Sequence, residues 1–371
     1  MAAAVAVAAV GFVAATPESA RAVPAQEFLV ATGAGPGGGP HVKLFKANGA
    51  QEIASFFAFD PAFRGGVNVA LGDLDGDGTS EIIVAAGPGG GPHVRVFDLS
   101  GHPIDKWSFF AYGASFSGGV HVAVADVNGD GDDEIVTAPG AGGGPHVRVW
   151  DIVNDAPAVV AQTMAYDPAF TGGVFVSGIF LNAASDEQGI LTSPGPGGGP
   201  HVRVFSSTLQ PTAGFFAYDS AFTGGVSVAA FDENGDGVDE IVTGALEGRG
   251  HVRTFASNGT PGDIGFYAWE AAVNTGVAVA TMDGAIDGPF LGAPFRAGTP
   301  PCSVDEQPPN CPHRADYFRG FGQDGVFTIQ AAPYGLSWQG GISVAGGFNI
   351  VDVTPPTTTT STSTTTSTTI T

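Results

Sequence analysis

Apolar and polar residues alternate in short runs along most of this chain, and the runs return in a fixed order. Between Gly66 and Gly119 the order is VNVAL, the acidic break DLDGDGTSE, IIVAA, the break GPGGGP, HVRVFD and IDKWSFFAY. Each apolar run is short, rich in Val, Ile and Phe, and bounded by Gly, Pro or Asp. That pattern predicts β-strands, and no window carries a convincing helical period. Asn48-Gly49, Asn258-Gly259 and Asp324-Gly325 predict tight turns between the third and fourth strands, because these residue types tolerate positive φ.

The order is copied. One phrase reads GPGGGPHVKLF, GPGGGPHVRVF, GAGGGPHVRVW, GPGGGPHVRVF and LEGRGHVRTF, and its histidines His41, His93, His146, His201 and His251 stand 52, 53, 55 and 50 residues apart. A second phrase, from FFAFDPAFRGGV to FYAWEAAVNTGV, ends on Gly66, Gly119, Gly173, Gly225 and Gly276. A period of roughly 50 residues marks one supersecondary unit repeated many times. Four antiparallel strands per unit in radial repetition make a β-propeller. A linear solenoid is the competitor, but the repeats begin with a second half-unit (EFLVATGAGPGGGPHVKLF) and end with a first half-unit (SWQGGISVAGGFNIV). Two such halves complete one blade and close the ring, which removes open sheet edges. A stretched copy near the C-terminus (HRADYFRGFGQDG and YGLSWQGGI) spans 65 residues from Gly276 to Gly341. The expected fold is therefore all-β over residues 27–353. It is a propeller of six four-stranded antiparallel blades, with seven as the alternative, closed by the N- and C-terminal strands.

Charge narrows the function. Thirteen Lys and Arg stand against 36 Asp and Glu, a net charge of −23, and this disfavours nucleic acid and anionic membranes. Calcium or cationic partners fit better. Residues 1–26 are expected to be a secretory signal and leader: an apolar core precedes Ala20-Arg21-Ala22, although a basic start is missing. A disordered Ala-rich leader is the alternative. That core is too short to span a membrane. Cys302 and Cys311, in a Pro-rich insertion, suit a disulfide loop in an oxidising compartment, with free or metal-bound thiols as alternatives. Residues 354–371, a Thr/Ser tract, are expected to be a disordered tail.

The acidic break carries the strongest chemistry. It occurs complete three times, as D-x-[DN]-x-D-G-x-x-E. The candidate metal positions are Asp73, Asp75, Asp77, Thr79 and Glu81; Asp126, Asn128, Asp130, Asp132 and Glu134; and Asp232, Asn234, Asp236, Val238 and Glu240. Ca²⁺ takes about six to eight oxygen ligands. Side chains at loop positions 1, 3 and 5 point inward when the chain wraps an ion, and position 6 is glycine for the turn. Position 7 offers a backbone carbonyl and position 9 closes the site. The motif resembles the first half of an EF-hand loop, with strands in place of the helices. About three Ca²⁺ sites are expected; an Asp/Gly-rich turn without an ion is the plainer reading.

With these loops, and with the glycine segments AAGPGG, TAPGAGG, TSPGPGG and Gly292-Ala293-Pro294, the chain resembles the FG-GAP/VCBS repeat β-propellers, whose best-known members are the N-terminal domains of integrin α subunits. The resemblance covers roughly residues 27–353. It implies a propeller with Ca²⁺ in hairpin loops, extracellular placement, and adhesion or ligand binding. The chain departs from the family in three ways. Family propellers usually have seven blades. The copy at 181–189 (LNAASDEQG) has lost its acids, and the one at 281–289 keeps only Asp283 and Asp287, so neither is expected to hold calcium strongly.

Other repeated features have plainer readings. The GPGGGP break lacks the Lys-Ser/Thr of a phosphate loop and no helix follows it; glycine there is expected to let neighbouring blades approach. His41, His93, His146, His201, His251 and His313, with Lys43, Arg95, Arg148, Arg203 and Arg253 two positions after the first five, offer an axial metal or anion site. The alternative is that each His bonds a neighbouring loop and each cation pairs with an acid such as Asp60, Asp167 or Asp219. The aromatic phrase (Phe59, Phe63, Tyr112, Phe116, Tyr166, Phe170, Tyr218, Phe222) is read mainly as packing between blades, with a minority exposed as sugar platforms. No catalytic motif is visible, so no enzyme is expected. The expected function is a secreted or cell-surface calcium-binding propeller that binds a glycan or extracellular protein, without membrane insertion. The alternatives are a polysaccharide hydrolase or lyase and a structural spacer. The stretched sixth copy, the main break in the symmetry, is the expected place for a specific site.

Overall fold

The structure is a computed structural model that describes residues 25–46, 51–268, 276–280, 290–292, 318–321, 327–331 and 342–351, with side chains over 29–46, 51–268 and 276–280. Residues 1–24 of the leader, the Thr/Ser tail, Cys302, Cys311, His313, the turns at Asn48-Gly49 and Asp324-Gly325, and the loop 281–289 lie outside the described residues. Gln26–Ile350 is one compact unit.

The described strands form six four-stranded sheets. In the first, β1 (Ala25–Ala34), β2 (His41–Lys46) and β3 (Glu52–Phe57) join the last strand, β24 (Ile342–Val351), in the order β24-β1-β2-β3. The next sheet is a simple meander of β4 (Val67–Gly72), β5 (Glu81–Ala86), β6 (His93–Phe97) and β7 (Phe109–Phe110). A third holds β8 (Val120–Ala125), β9 (Glu134–Pro139), β10 (His146–Val153) and β11 (Ala156–Met164). A fourth holds β12 (Val174–Phe180), β13 (Gln188–Pro194), β14 (His201–Phe205) and β15 (Pro211–Phe216). The fifth contains β16 (Val226–Phe231), β17 (Glu240–Ala245), β18 (His251–Phe255) and β19 (Pro261–Tyr267). The sixth contains β20 (Ala278–Ala280), β21 (Phe290–Gly292), β22 (Phe318–Phe321) and β23 (Phe327–Ala331). Meander pairing is antiparallel throughout.

This is the β-propeller of four-stranded antiparallel blades that the sequence predicts. The count needs a correction. Five blades are described with packed side chains; the sheet β20–β23 is described by its backbone, with side chains on β20 alone. Six blades, or seven, are therefore not established. The stretched copy is where the repeat phrases are most worn, and two of its strands are only three residues long.

Burial follows strand position within a blade. The second strands, such as EIIVAA and EIVTAP, are buried along their whole length because a blade covers each face. The outermost strands, EIASFF and PTAGFF, alternate because one face meets water. Each pair of neighbouring blades shares a core. Leu44, Val69 and Ile82 pack at the first junction, Ile83, Val120 and Ile135 at the second, and Val149, Val174 and Ile190 at the third. Ile83 and Ile135 are fully buried, so truncating either to Ala costs about 2–5 kcal/mol. Glycine closes the approach at the blade corners. At Gly66 a β-carbon would come within 2.3 Å of the Gly35 backbone, and its φ is +72°.

The rows of histidine and arginine match the sequence readings only in part: Lys43 pairs with Glu52 at 2.6 Å and Arg95 with Asp105 at 3.1 Å, acids other than the loop aspartates expected. His41 bonds Ser55 on β3 and His93 bonds Ser108 just before β7, both at 2.8 Å, and His146 bonds Gln162 on β11 at 3.0 Å. The His41 and His93 rings also lie against Phe57 and Phe110 of the next strand. Burial first, and the nearby Lys43 or Arg second, lowers the pKa of each of these histidines. The arginines reach past their own blade. Arg95, Arg148, Arg203 and Arg253 donate to the carbonyls of Ala58, Ala111, Ala165 and Ala217 at 2.5–2.7 Å, each on the preceding blade. The loop aspartates are spent locally instead: Asp60, Asp167 and Asp219 accept from the N–H two residues ahead. The aromatic phrase packs between blades as expected, with Tyr112, Tyr166 and Tyr218 donating to the carbonyls of His146, His201 and His251 on the following blade.

Candidate metal centre

Each acidic loop joins the first and second strands of its blade. In loop 73–81 the Asp73 carboxylate folds the backbone around itself, accepting from Asp77 N at 3.2 Å and Gly78 N at 2.7 Å. Asp77 accepts from Thr79 N at 2.8 Å, and Glu81 accepts from Leu74 N at 2.9 Å. Gly76 and Gly78 sit at φ +67° and +86°, where a side chain would be strained. Loops 126–134 and 232–240 repeat the weave. Asp126 receives Gly129 N and Gly131 N, and Asp232 receives Gly235 N and Gly237 N. Glu134 and Glu240 close back on Val127 N and Glu233 N.

The three loops differ in the acids they gather. Oxygens of Asp73, Asp75 and Glu81 lie within 4.8 Å of one another. Among the described residues this is the group of three acids, His or Cys close enough to share one ion. Burial first, then the charges of Asp75, Asp73 and Asp77, pushes the Glu81 carboxyl up to about 8 against the Leu74 N–H bond. Burial and the same neighbours raise Asp75. Three carboxylates this close repel one another unless a proton or a cation sits between them. An all-oxygen donor set, two members of it buried, fits a hard divalent cation such as Ca²⁺.

At position 3 the other two loops carry Asn. The Asn128 amide donates to Glu134 at 2.7 Å and the Asn234 amide to Glu240 at 3.3 Å. A neutral donor there replaces a third acid. Glu134 is still pushed up to about 8, by burial and then by Asp151, Asp126 and Asp130, and Glu240 is raised by burial and then by Asp236 and Asp232. Of the about three sites expected, one gathered acid cluster is present among the described residues. Asp77, Asp130 and Asp236 each accept from the N–H of position 7, and Thr79, Asp132 and Val238 serve as those donors. The degenerate copy at 181–189 keeps a local turn, Ala184 N to Asn182, with no acid cluster.

One repeated contact escaped the sequence reading. Asp133 sits one residue before the closing Glu and reaches the preceding blade, where its N donates to Asp73 O at 2.6 Å and its carboxylate accepts from Asp73 N at 3.0 Å. Asp239 holds Phe180 by the same pair of bonds, 2.9 and 2.8 Å, and Gln188 holds Asp126 at 2.6 and 3.1 Å. The available signal was an acid at position 8 in two loops, a position the Ca²⁺ pattern leaves unspecified.

Comparison with known proteins agrees with this architecture. None of the curated proteins matches the chain. A solved protein of unknown function from Bacteroides caccae is 12% identical with a TM-score of 0.50, over 87% of this chain and 99% of that one. A rhamnogalacturonan lyase of Bacillus licheniformis is 15% identical with a TM-score of 0.41, over 80% of this chain and 66% of that one. The V. cholerae biofilm matrix protein Bap1 is 16% identical with a TM-score of 0.35, over 64% of this chain and 34% of that one. At that identity the likeness to the Bacteroides caccae protein is one of fold. No described helix is long and apolar enough to cross a membrane. Residues 73–137, which run from the first acidic loop through the second, match the FG-GAP-like repeat family, and the repeat is set here in a β-propeller.

Proposed function

We propose that this protein is a secreted or surface-displayed binding module, a six-bladed ring closed by β24 beside β1 and stabilised by Ca²⁺. The observation that carries the reading is the Asp73, Asp75 and Glu81 cluster, held by backbone bonds in a strand-flanked loop of an FG-GAP-like repeat. Loops 126–134 and 232–240 share its weave, and they take Ca²⁺ with the Asn oxygen in place of the second acid. The ion shapes the loops, and the ligand is a glycan or an extracellular protein. The repeated polar groups are committed to holding blades together, which supports binding over catalysis.

The test is a glycan and matrix-protein array probed with the full chain in millimolar Ca²⁺ and again in EDTA. Binding that is present in Ca²⁺ and weakened in EDTA supports the reading. Binding indifferent to EDTA removes the ion from it. A polysaccharide turnover assay runs alongside, and cleavage of any substrate would replace the binding module with an enzyme.

A further inference from the structure

Five blades open on Val-x-Val: Val67-Asn68-Val69, Val120-His121-Val122, Val174-Phe175-Val176, Val226-Ser227-Val228 and Val277-Ala278-Val279, while β24 of the remaining sheet begins Ile342-Ser343-Val344. The flanking valines recur in these five copies and x never does. All five x residues line a single cavity of about 480 Å³, walled by the first strands of the blades and the glycine corners. The repeat is therefore broken where the blades converge, and the break is lopsided. Asn68, His121 and Phe175 form an arc across three consecutive blades, while Ser227 and Ala278 leave room opposite them.

Within the arc the His121 ring lies 4.2 Å from the Phe175 ring. The Asn68 amide donates to Val120 O at 2.7 Å, which fixes its direction and leaves its oxygen as an acceptor. The His121 ring lines the cavity and has no hydrogen bond among the described residues; burial pushes its pKa down to about 4, so at neutral pH it is an uncharged donor and acceptor. Among the described residues no Lys or Arg lines the cavity and Glu247 does, which disfavours anionic ligands. The wall is mostly apolar with a few directional neutral groups, as in pockets for small organic molecules of this size. A pyranose matches it, with hydroxyls for His121 and Asn68 and an apolar C–H face for the aromatic side.

We infer that this axial cavity binds the end residue of a glycan, an uncharged pyranose gripped by Asn68, His121 and Phe175. The assignment rests on the reading above for the ligand being a glycan, and it moves the specific site from the stretched sixth copy to the axis.

The experiment uses the full chain in Ca²⁺. Saturation-transfer NMR and calorimetry are run with D-glucose, D-galactose, L-rhamnose, N-acetylglucosamine and, as the charged control, D-glucuronate. His121→Ala removes the ring that lies against Phe175, and Ala278→Phe fills the open side without removing a hydrogen bond. Saturable binding of a neutral sugar is expected, weakened about ten-fold by H121A and abolished by A278F while the melting temperature of A278F stays at the wild-type value. If H121A fails to fold, A278F alone decides. Binding of none of the neutral sugars, preference for glucuronate, or undiminished binding by A278F overturns the assignment. Array binding retained in A278F would do so while leaving the module reading intact.

Discussion

Loops 126–134 and 181–189 lie on neighbouring blades and teach different things. The first keeps its acids and the weave around Asp126; the second has none at positions 1, 3, 5 and 9, holding Asp186 and Glu187 off the ligand positions, and keeps a plain turn. Yet Gln188, at the end of the second, grips Asp126 by the same two bonds with which Asp133 grips Asp73 and Asp239 grips Phe180. Cradle and clamp are therefore separable. One gathers charge for an ion and the other fastens blade to blade, and losing the first has not removed the second.

Calcium removal should have the largest effect on this pair. With Ca²⁺ at roughly ten times its Kd, each occupied cradle adds about 1.4 kcal/mol. Three filled loops give about 4 kcal/mol and one gives about 1.4 kcal/mol. Melting in EDTA against Ca²⁺ separates these outcomes, and no shift at all would remove calcium from the account. Next comes the clamp. Asp239 is buried and its carboxylate satisfies Phe180 N–H, so Asp239→Ala should cost about 1–3 kcal/mol, with or without calcium. A loss seen only in Ca²⁺ would merge the two devices again.

The pH dependence is subtler. Glu81 and Glu134 are both pushed up to about 8, above the ordinary carboxyl value of 4.5. A raised folded pKa stabilises the protonated state, so this stability is present below about pH 4.5 and is lost as pH rises toward 8. Urea midpoints in EDTA should therefore fall across that window, and Ca²⁺ should flatten the fall. A calcium-free protein that gains stability there would contradict the buried-carboxyl picture. The smallest effect is expected from Asn128→Asp, which gives loop 126–134 the acid set of loop 73–81. It should tighten Ca²⁺ binding by calorimetry and lower calcium-free stability by a few tenths of a kcal/mol.

The sequence made the blade legible because strand period, acidic break and glycine corner recur together. The Val-Ile-Phe runs and the two half-units carried the architecture. Position-specific spacing located the acidic loops, but a motif written D-x-[DN]-x-D-G treats Asp75 and Asn128 as equal, and the structure does not. The amide of Asn128 is a donor, and it turns toward Glu134. The arginines were misplaced for a different reason. Asp60, Asp167 and Asp219 offer charge complementarity within the same repeat, but each already accepts from its own turn, and the reach of Arg95, Arg148, Arg203 and Arg253 to a preceding blade depends on three-dimensional neighbours about 36–38 residues away. The aromatic arc was hidden because a single variable residue between two valines carries no motif.

Those arginine contacts also have a direction. Each guanidinium looks backward along the chain to the blade before it, by the same bond at the four joints from the first blade to the fifth. Those four joints are thus fastened alike. A gene rearranged to join the present ends and open between Asn154 and Asp155, at the turn linking β10 and β11, would leave every arginine facing the same carbonyl. Where such a molecule starts and stops is a matter of genetic history, and the order of its neighbours is what the side chains preserve.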